Sequence, residues 1–394
     1  MPWQTTSMND VRREFVMKAL QARQDFADLC AQFGISRKTG YKWKERALTD
    51  GLDALRERSR RPKRSPQQID EDVLCALIRL KLRHPHWGAK KLLVILARGG
   101  LPAPSLSTGH RILQKAGLVA VRRRRTKSPP GRLHAVVRAL APNDVWTVDF
   151  KGWWLLRCGQ RCEPLTVRDA FSRYVLSVHV PEAATTAAVR AEFERLFQLY
   201  GLPKAIKSDN GSPFASAGSV LGLSRLSAWW VSLGIELDRS RPAHPQDNGA
   251  HERLHLDVQR EIAGRVQDDR RLQQAACDLW RQEFNHVRPH EALQGRCPAE
   301  LYTKSERRFC GPVQLEYGPG FLVRKVARNG ILAYRRDRVF LSAALAGCDV
   351  GLRRLDSASF EVWLNYLLLG TINFQTLSFS GAPSRPSEAE RLSA

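Results

Sequence analysis

Between residues 142 and 302 the chain alternates short apolar runs with long amphipathic segments, and that order restricts what it can fold into. Residues 145–150, 164–170 and 174–180 predict three antiparallel strands, followed by a helix over 183–200. A strand at 204–208, a helix near 224–233, a strand at 234–239 and long helices near 249–265 and 268–286 complete the series. Strands interleaved with helices bury their apolar faces by stacking helices on a sheet, so an α/β core is expected, with sequence-distant residues meeting at strand ends.

Three carboxylates occupy such ends. Asp149 closes the apolar run Val145-Trp-Thr-Val-Asp-Phe150, Asp209 ends a short strand where Asn210-Gly211 forces a turn, and Glu252 opens a helix. Burying an unpaired carboxylate among apolar neighbours is expensive, which sets Asp149 apart from an ordinary surface acid. Magnesium binds hard oxygen ligands, and two such ions can hold the attacking and leaving oxygens of a phosphoryl displacement. Two Asp and a Glu suit that chemistry.

The formal charge of +24 and pI near 10.3 call for an anionic partner. Residues 1–141 hold 30 Lys+Arg against 11 Asp+Glu, so +19 of that charge lies in the front third. Residues 8–55 predict helices separated by short turns, with Leu29, Cys30, Phe33, Gly34, Ile35, Gly40 and Trp43 where a helix-turn-helix needs packing positions, a turn glycine and a small residue. Ser36 would cap the second helix of that motif, leaving Arg37, Lys38, Thr39, Tyr41, Lys42 and Lys44 to reach bases and phosphates. A basic linker at 56–66, with Arg60 and Arg61, would follow phosphates. A second helix-turn-helix-like domain is expected over 67–120, including a helix opened by Ser107 that carries His110, Arg111 and Lys115; a purely structural three-helix bundle is the alternative. Arg122, Arg123, Arg124 and Arg125 begin a second basic linker, 121–141, read as a tracker of the DNA backbone or minor groove.

No apolar stretch approaches the roughly 18 residues of a membrane span, and no signal pattern opens the chain, so a cytoplasmic, nucleoid-associated protein is expected. The eight Cys are scattered, and Cys158-x3-Cys162 without a second ligand pair reads as incidental or buried thiols rather than zinc. After residue 310, β-like runs at Phe321 to Val326, Ile331 to Arg335, Arg338 to Leu341 and Val362 to Leu369 predict a small β domain over 303–378, followed from 379 by a Pro/Ser/Glu-rich tail expected to be disordered.

Four phrases, Trp146-Thr-Val-Asp149, Ser208-Asp-Asn-Gly-Ser-Pro-Phe214, Pro245-Gln-Asp-Asn-Gly-Ala-His-Glu-Arg253 and Asn285-His-Val-Arg-Pro-His-Glu-Ala-Leu293, resemble in this order the catalytic core of bacterial insertion-sequence transposases of the DDE type. Retroviral integrases share that core. The likeness extends from the amino-terminal helices to about residue 375. It implies a multidomain chain: all-α helix-turn-helix modules, an α/β ribonuclease-H-like core over 142–302, and a small β-barrel-like carboxyl-terminal domain. It also implies that Asp149, Asp209 and Glu252 are catalytic and hold two Mg2+ (or Mn2+) ions, and that the partner is double-stranded DNA, both element ends and target, bound by a homodimer or larger assembly. His244, Asn248 and Arg253 would position the scissile strand, and Asn285, Arg288, Pro289 and His290 would pack beside the site. The residues alone leave helix and loop stabilisation open for all of these.

Asp169 is read as shaping a hairpin, and Asp144 and Asp247 as turn or cap residues rather than ligands. Two departures stand out. Many relatives carry Lys or Arg seven residues after the catalytic Glu, where this chain has Gln259 followed by Arg260; and 42 residues separate Asp209 from Glu252, a long interval with its excess expected in the loop from Ala215 to Arg225. A DNA-bound repressor with an inactive core and a ribonuclease-H-like nuclease without strand joining are the competing functions.

Overall fold

The computed structural model describes residues 7–57, 68–119, 139–239, 249–311 and 314–382. Most of the two basic linkers, the tail beyond 382, and Arg60, Arg61, Arg122, Arg123, Arg124, Arg125, His244, Asp247 and Asn248 lie outside these residues. The chain divides into two compact units, Met1–Ile69 and Asp70–Ala394.

The first unit is three helices, α1 (Met8–Gln21), α2 (Phe26–Gln32) and α3 (Arg37–Asp50), around Phe15, Val16, Leu29, Cys30 and Leu55. Each start is built by a side-chain cap: Ser7 with Asp10, Asp25, and Ser36, which accepts from the Thr39 N–H. Gly34 turns the chain at φ +64°, a conformation that favours glycine. Gly40 lets α3 approach α2, since a Cβ there would lie 2.6 Å from Cys30 Sγ.

The second unit begins with α4 (Glu71–Arg83), α5 (Ala89–Arg98) and α6 (Leu106–Lys115), closed over Val73, Leu77, Leu92, Leu96 and Leu113. The start of α6 differs from expectation. Ser105, not Ser107, caps it, because the Ser105 hydroxyl accepts from the Thr108 N–H at 3.3 Å. These helices are tied to the core by Arg98–Glu300 at 2.8 Å and His84–Glu283 at 3.0 Å.

The core strands are β1 (Val145–Phe150), the short hairpin β2 (Trp154–Leu155) and β3 (Arg161–Cys162), β4 (Leu165–Asp169), β5 (Val175–His179), β6 (Ala205–Ser208) and β7 (Glu236–Arg239). Five form one sheet in the order β5-β4-β1-β6-β7, antiparallel through β5, β4 and β1, then parallel through β6 and β7. Helices α7 (Thr186–Tyr200) and α8 (Arg225–Ser232) cover one face through Trp146, Phe193, Phe197 and Trp230. Helices α9 (Gly249–Glu261) and α10 (Arg270–His286) cover the other through Val175, Val178, Leu254, Val258 and Phe284. Each of these large side chains, taken out of water, contributes about 1.5–3 kcal/mol, which fixes the sheet that carries the acids.

The carboxyl-terminal region is β-rich. Strands β8 (Phe321–Lys325), β9 (Ile331–Tyr334), β10 (Asp337–Phe340), β11 (Asp349–Arg354), β12 (Ser359–Leu364), β13 (Leu367–Asn373) and β14 (Ser378–Gly381) form a sheet ordered β14-β13-β12-β11-β8 and a β9–β10 hairpin. The apolar run at 362–369 is two strands, turned by Asn365 at φ +53°. Residues 379–381, expected in the tail, are instead paired with β13 by backbone hydrogen bonds. The long interval after Asp209 has a structural use: Val220 and Leu221 pack into the apolar cluster of this β region, and Ser219 bonds Ser342 at 2.6 Å.

Candidate active site

The register of β1 and β6 places the first two acids. Thr147 pairs with Lys207 in a parallel ladder, so the same register two residues on sets Asp149, still paired with β4, beside Asp209, just past the end of β6. Neighbouring strands lie about 4.8 Å apart, a spacing two carboxylates span readily. Glu252, in the first turn of α9, joins them through its neighbour His251. His251 is fully buried, with Nδ1 2.7 Å from Thr147 Oγ1 on β1 and Nε2 2.7 Å from Thr166 Oγ1 on β4. Thr166 is the cross-strand partner of Asp149, donates to the Asp149 carbonyl oxygen at 2.9 Å, and lies 2.9 Å from His255 Nε2. A continuous polar network therefore pins the Glu252 helix to the Asp149 strand.

Electrostatics report the same convergence. The Asp149 carboxyl is 28% exposed and is pushed up to about 7, first by burial and then by the charge of Asp209, with a smaller push from Glu252, against the Phe150 N–H and Lys151. His255 lies 3.9 Å from Asp149 but offers no countercharge, because burial holds its own value near 4. Asp209 and Glu252 are exposed. Asp209 turns back to accept the Gly211 N–H at 3.2 Å. Among the described residues no three His, Cys, Asp or Glu side chains stand close enough to enclose an ion as they are. The donor set is nonetheless made of carboxylate oxygens, and the Asp149 carboxyl, held near 7 by burial and then by the charge of Asp209, is the kind of group a hard cation relieves.

The other acids have structural work. Asp169 accepts from the N–H groups of Asn143 and Ser172 and from the Ser172 hydroxyl, closing the β4–β5 hairpin. Asp144 accepts from the N–H groups of Leu140 and Ala141. Asn285 is buried and grips the Val175 N–H and C=O. Arg288 is buried between Asp257, at 2.9 Å, and Glu261, at 3.0 Å. Cys162 sits in an apolar cluster that pushes its thiol up to about 12.

On α3, Arg37, Lys38, Tyr41 and Lys42 are exposed, and Thr39 and Lys44 half-buried. Tyr41 stacks on Phe26 with ring centroids 4.2 Å apart, so part of its ring is committed to packing. Arg111 on α6 and Arg253 on α9 are exposed. Sequence reasoning missed His251 and His255. Both fall within or next to the Gly249 to Arg253 phrase, at i and i+4, a spacing that puts them on one helix face.

These histidines predict a pH dependence of stability. Burial holds His255 near 4 and His290 near 3, and His251 well below the ordinary 6.5. Unfolded histidines take up protons as pH falls through about 6.5 while the folded ones do not, so each favours unfolding by up to roughly 1.4 kcal/mol per pH unit below that point. Asp149 acts with the opposite sign over the same window, leaving a net loss. Urea unfolding at pH 7 and pH 5 is expected to show a markedly lower midpoint at pH 5; equal midpoints would contradict this burial.

Comparison with known proteins adds a family context. Residues 139–245 and 233–298 match profiles described as integrase core domain, residues 11–63 a helix-turn-helix domain, and residues 39–113 a homeodomain-like domain. The 31.7 kDa protein of insertion element IS407 from Burkholderia multivorans is 26% identical over 260 residues, 64% of this chain and 88% of that protein. The 39.2 kDa protein of insertion element IS476 from Xanthomonas euvesicatoria is 26% identical over 264 residues, 65% of this chain and 71% of that protein. Among solved structures, the HTLV-2 integrase catalytic core domain in complex with magnesium is 20% identical, covering 42% of this chain and 100% of its own, with a TM-score of 0.34. Among the described residues no helix is long and apolar enough to cross a membrane.

Proposed function

We propose that this chain, which carries an integrase core and helix-turn-helix domains and is homologous to the proteins of insertion elements IS407 and IS476, is a bacterial insertion-sequence transposase of the DDE type that cuts and joins the ends of its element. In this reading α3 and the second helical module recognise terminal inverted repeats. Water attacks the phosphodiester at an element end, the P–O3′ bond breaks, and the freed 3′-hydroxyl attacks a phosphodiester of target DNA, forming a new P–O bond as the target's P–O3′ bond breaks and releases a target 3′-hydroxyl. No covalent protein intermediate is required. Asp149, Asp209 and Glu252 would hold two Mg2+ (or Mn2+) ions, which when bound supply neutralisation of phosphate charge and activation of the attacking oxygen.

The observation that carries the proposal is geometric: the β1–β6 register brings Asp149 and Asp209 to the same end of adjacent strands, and the His251 bonds to Thr147 and Thr166 fix the first turn of α9, with Glu252, against those strands. The protein's own contribution is positional: His251 and Thr166 hold the α9 acid against the strand acids, and the buried histidines stay neutral there. Joining two ends needs two sites on one DNA assembly, so a homodimer or larger is the working unit.

The test is a duplex carrying the repeats that flank the gene, incubated with the full chain. Nicking at the 3′ end with Mg2+ or Mn2+, none with EDTA, and joining of that end to a second duplex are expected. Cleavage without joining would favour the nuclease reading, and specific binding without cleavage the repressor.

A further inference from the structure

Helix α9 divides its surface into three stripes. His251, Leu254 and Val258 point into the core, Glu252 and Gln259 share an exposed face, and Arg253, Asp257 and Arg260 run along a third at i, i+4 and i+7. The third stripe lines a cavity of about 500 Å³, whose opposite wall is the start of α5 and the loop around Pro289–Gly295.

The charge of this cleft is unbalanced. Lys90, Lys91, Arg253, Arg260 and Arg288 line it against Asp257 and Glu291. Arg288 is neutralised by Asp257 and Glu261, and Lys90 pairs with Glu291. Among the described residues Lys91, Arg253 and Arg260 have no carboxylate within ion-pair distance. The first turn of α5 also lines the cleft through Gly88, Lys90 and Lys91, and Gly88, its N-cap, provides no side-chain cap. Burial, reinforced by the charge of Arg288, pushes Lys91 down to about 8, the response of an ammonium held away from water beside another cation. An anion would relieve it.

We propose that this cleft is a phosphodiester-backbone site, in which Lys91 from the second helical module and Arg253 and Arg260 from the core of the same chain straddle one DNA strand next to Glu252. The inference rests on the transposase reading and deepens it. The basic side chain absent at Gln259 is then supplied from the adjoining face of α9 and from α5. The geometry favours a backbone contact over base reading, because unpaired cations recognise phosphate charge whatever the sequence.

The experiment measures binding of the full chain, without metal, to a fluorescent duplex carrying an element end and to an unrelated duplex of equal length, over a range of KCl concentrations. Lys91→Gln and Arg260→Gln are each expected to weaken both duplexes about fivefold and to lower the slope of log affinity against log salt by about one, with the double variant losing about two. Arg260 is exposed, so its variant keeps the test valid even if Lys91→Gln disturbs packing. Unchanged affinity and slope for Arg260→Gln would overturn the cleft assignment, as would a loss confined to the element end. Failure of the unaltered chain to bind either duplex would instead strike the functional reading itself.

Discussion

Replacing Asp149 with asparagine is expected to reduce metal-dependent nicking by about a thousandfold or more, while making the folded chain more stable at pH 8. The two effects have one origin. A carboxyl held near 7 in the fold ionises near 4 in the unfolded chain, so between those values rising pH favours unfolding. The penalty is absent below about pH 4 and complete above about pH 7, with an upper bound of about 4 kcal/mol from a shift of this size. Asparagine removes the charge, keeps the shape and retains the hydrogen-bonding oxygen. Urea midpoints at pH 8 and pH 4.5 should therefore show a stabilised variant at the higher pH and near-equality at the lower one. A residue placed for folding would behave oppositely, losing stability when altered. Nicking at the unaltered rate by Asp149→Asn would overturn the assignment of this acid.

The place of Asp149 on a largely buried strand was legible in the sequence because its context conflicts with ordinary burial rules. Asp149 ends a run whose other members need an apolar surround, and Asn210-Gly211 marks the turn that ends a strand at Asp209. The sequence of elements along the core was equally legible, since apolar runs and amphipathic segments alternate there, whereas the order of strands within the sheet comes from the structure. What was not legible depends on tertiary rotation. That His251 faces inward, bridging Thr147 and Thr166, follows from how α9 is rolled on the sheet, and no spacing rule fixes that roll. The Arg288 pairing with Asp257 and Glu261 is hidden for the same reason, because its partners lie one helix away. The error at α6 came from two serines two residues apart, of which only the side chain of Ser105 reaches the Thr108 N–H. The run at 362–369 hid its turn because Asn365 is a lone polar residue among apolar ones. DNA contacts assigned to His244, Asn248 and the arginine clusters rest on motif and charge, whereas Lys91 becomes a candidate only once α5 is seen against α9.

Arg288→Met is expected to destabilise the second unit by about 3–5 kcal/mol, the cost of leaving buried carboxylates without their cation. The guanidinium is 3% exposed, with Asp257 at 2.9 Å and Glu261 at 3.0 Å, both on α9, and lies over the rings of Phe284 and Trp87. Glu261 also accepts from the Trp280 indole N–H at 2.7 Å, so one carboxylate joins α9, α10 and the segment after it. Methionine can fill the volume but not the charge. The thermal midpoint should fall by about 5–10 °C, since Asp70–Ala394 is larger than the domains of some 150–250 residues that shift about 2–4 °C per kcal/mol. Because the loss arises from uncompensated charge rather than a cavity, adding Asp257→Asn and Glu261→Gln to Arg288→Met should recover most of it. If the triple variant stays as unstable as the single one, packing against Trp87 and Phe284 is the dominant contribution of Arg288. The consequence for the site is direct: the stripe that Arg288 anchors is the reverse side of the helix whose first turn carries Glu252. A variant with this anchor removed should therefore lose nicking activity at temperatures where it is still folded, as α9 loosens before the sheet beneath it melts.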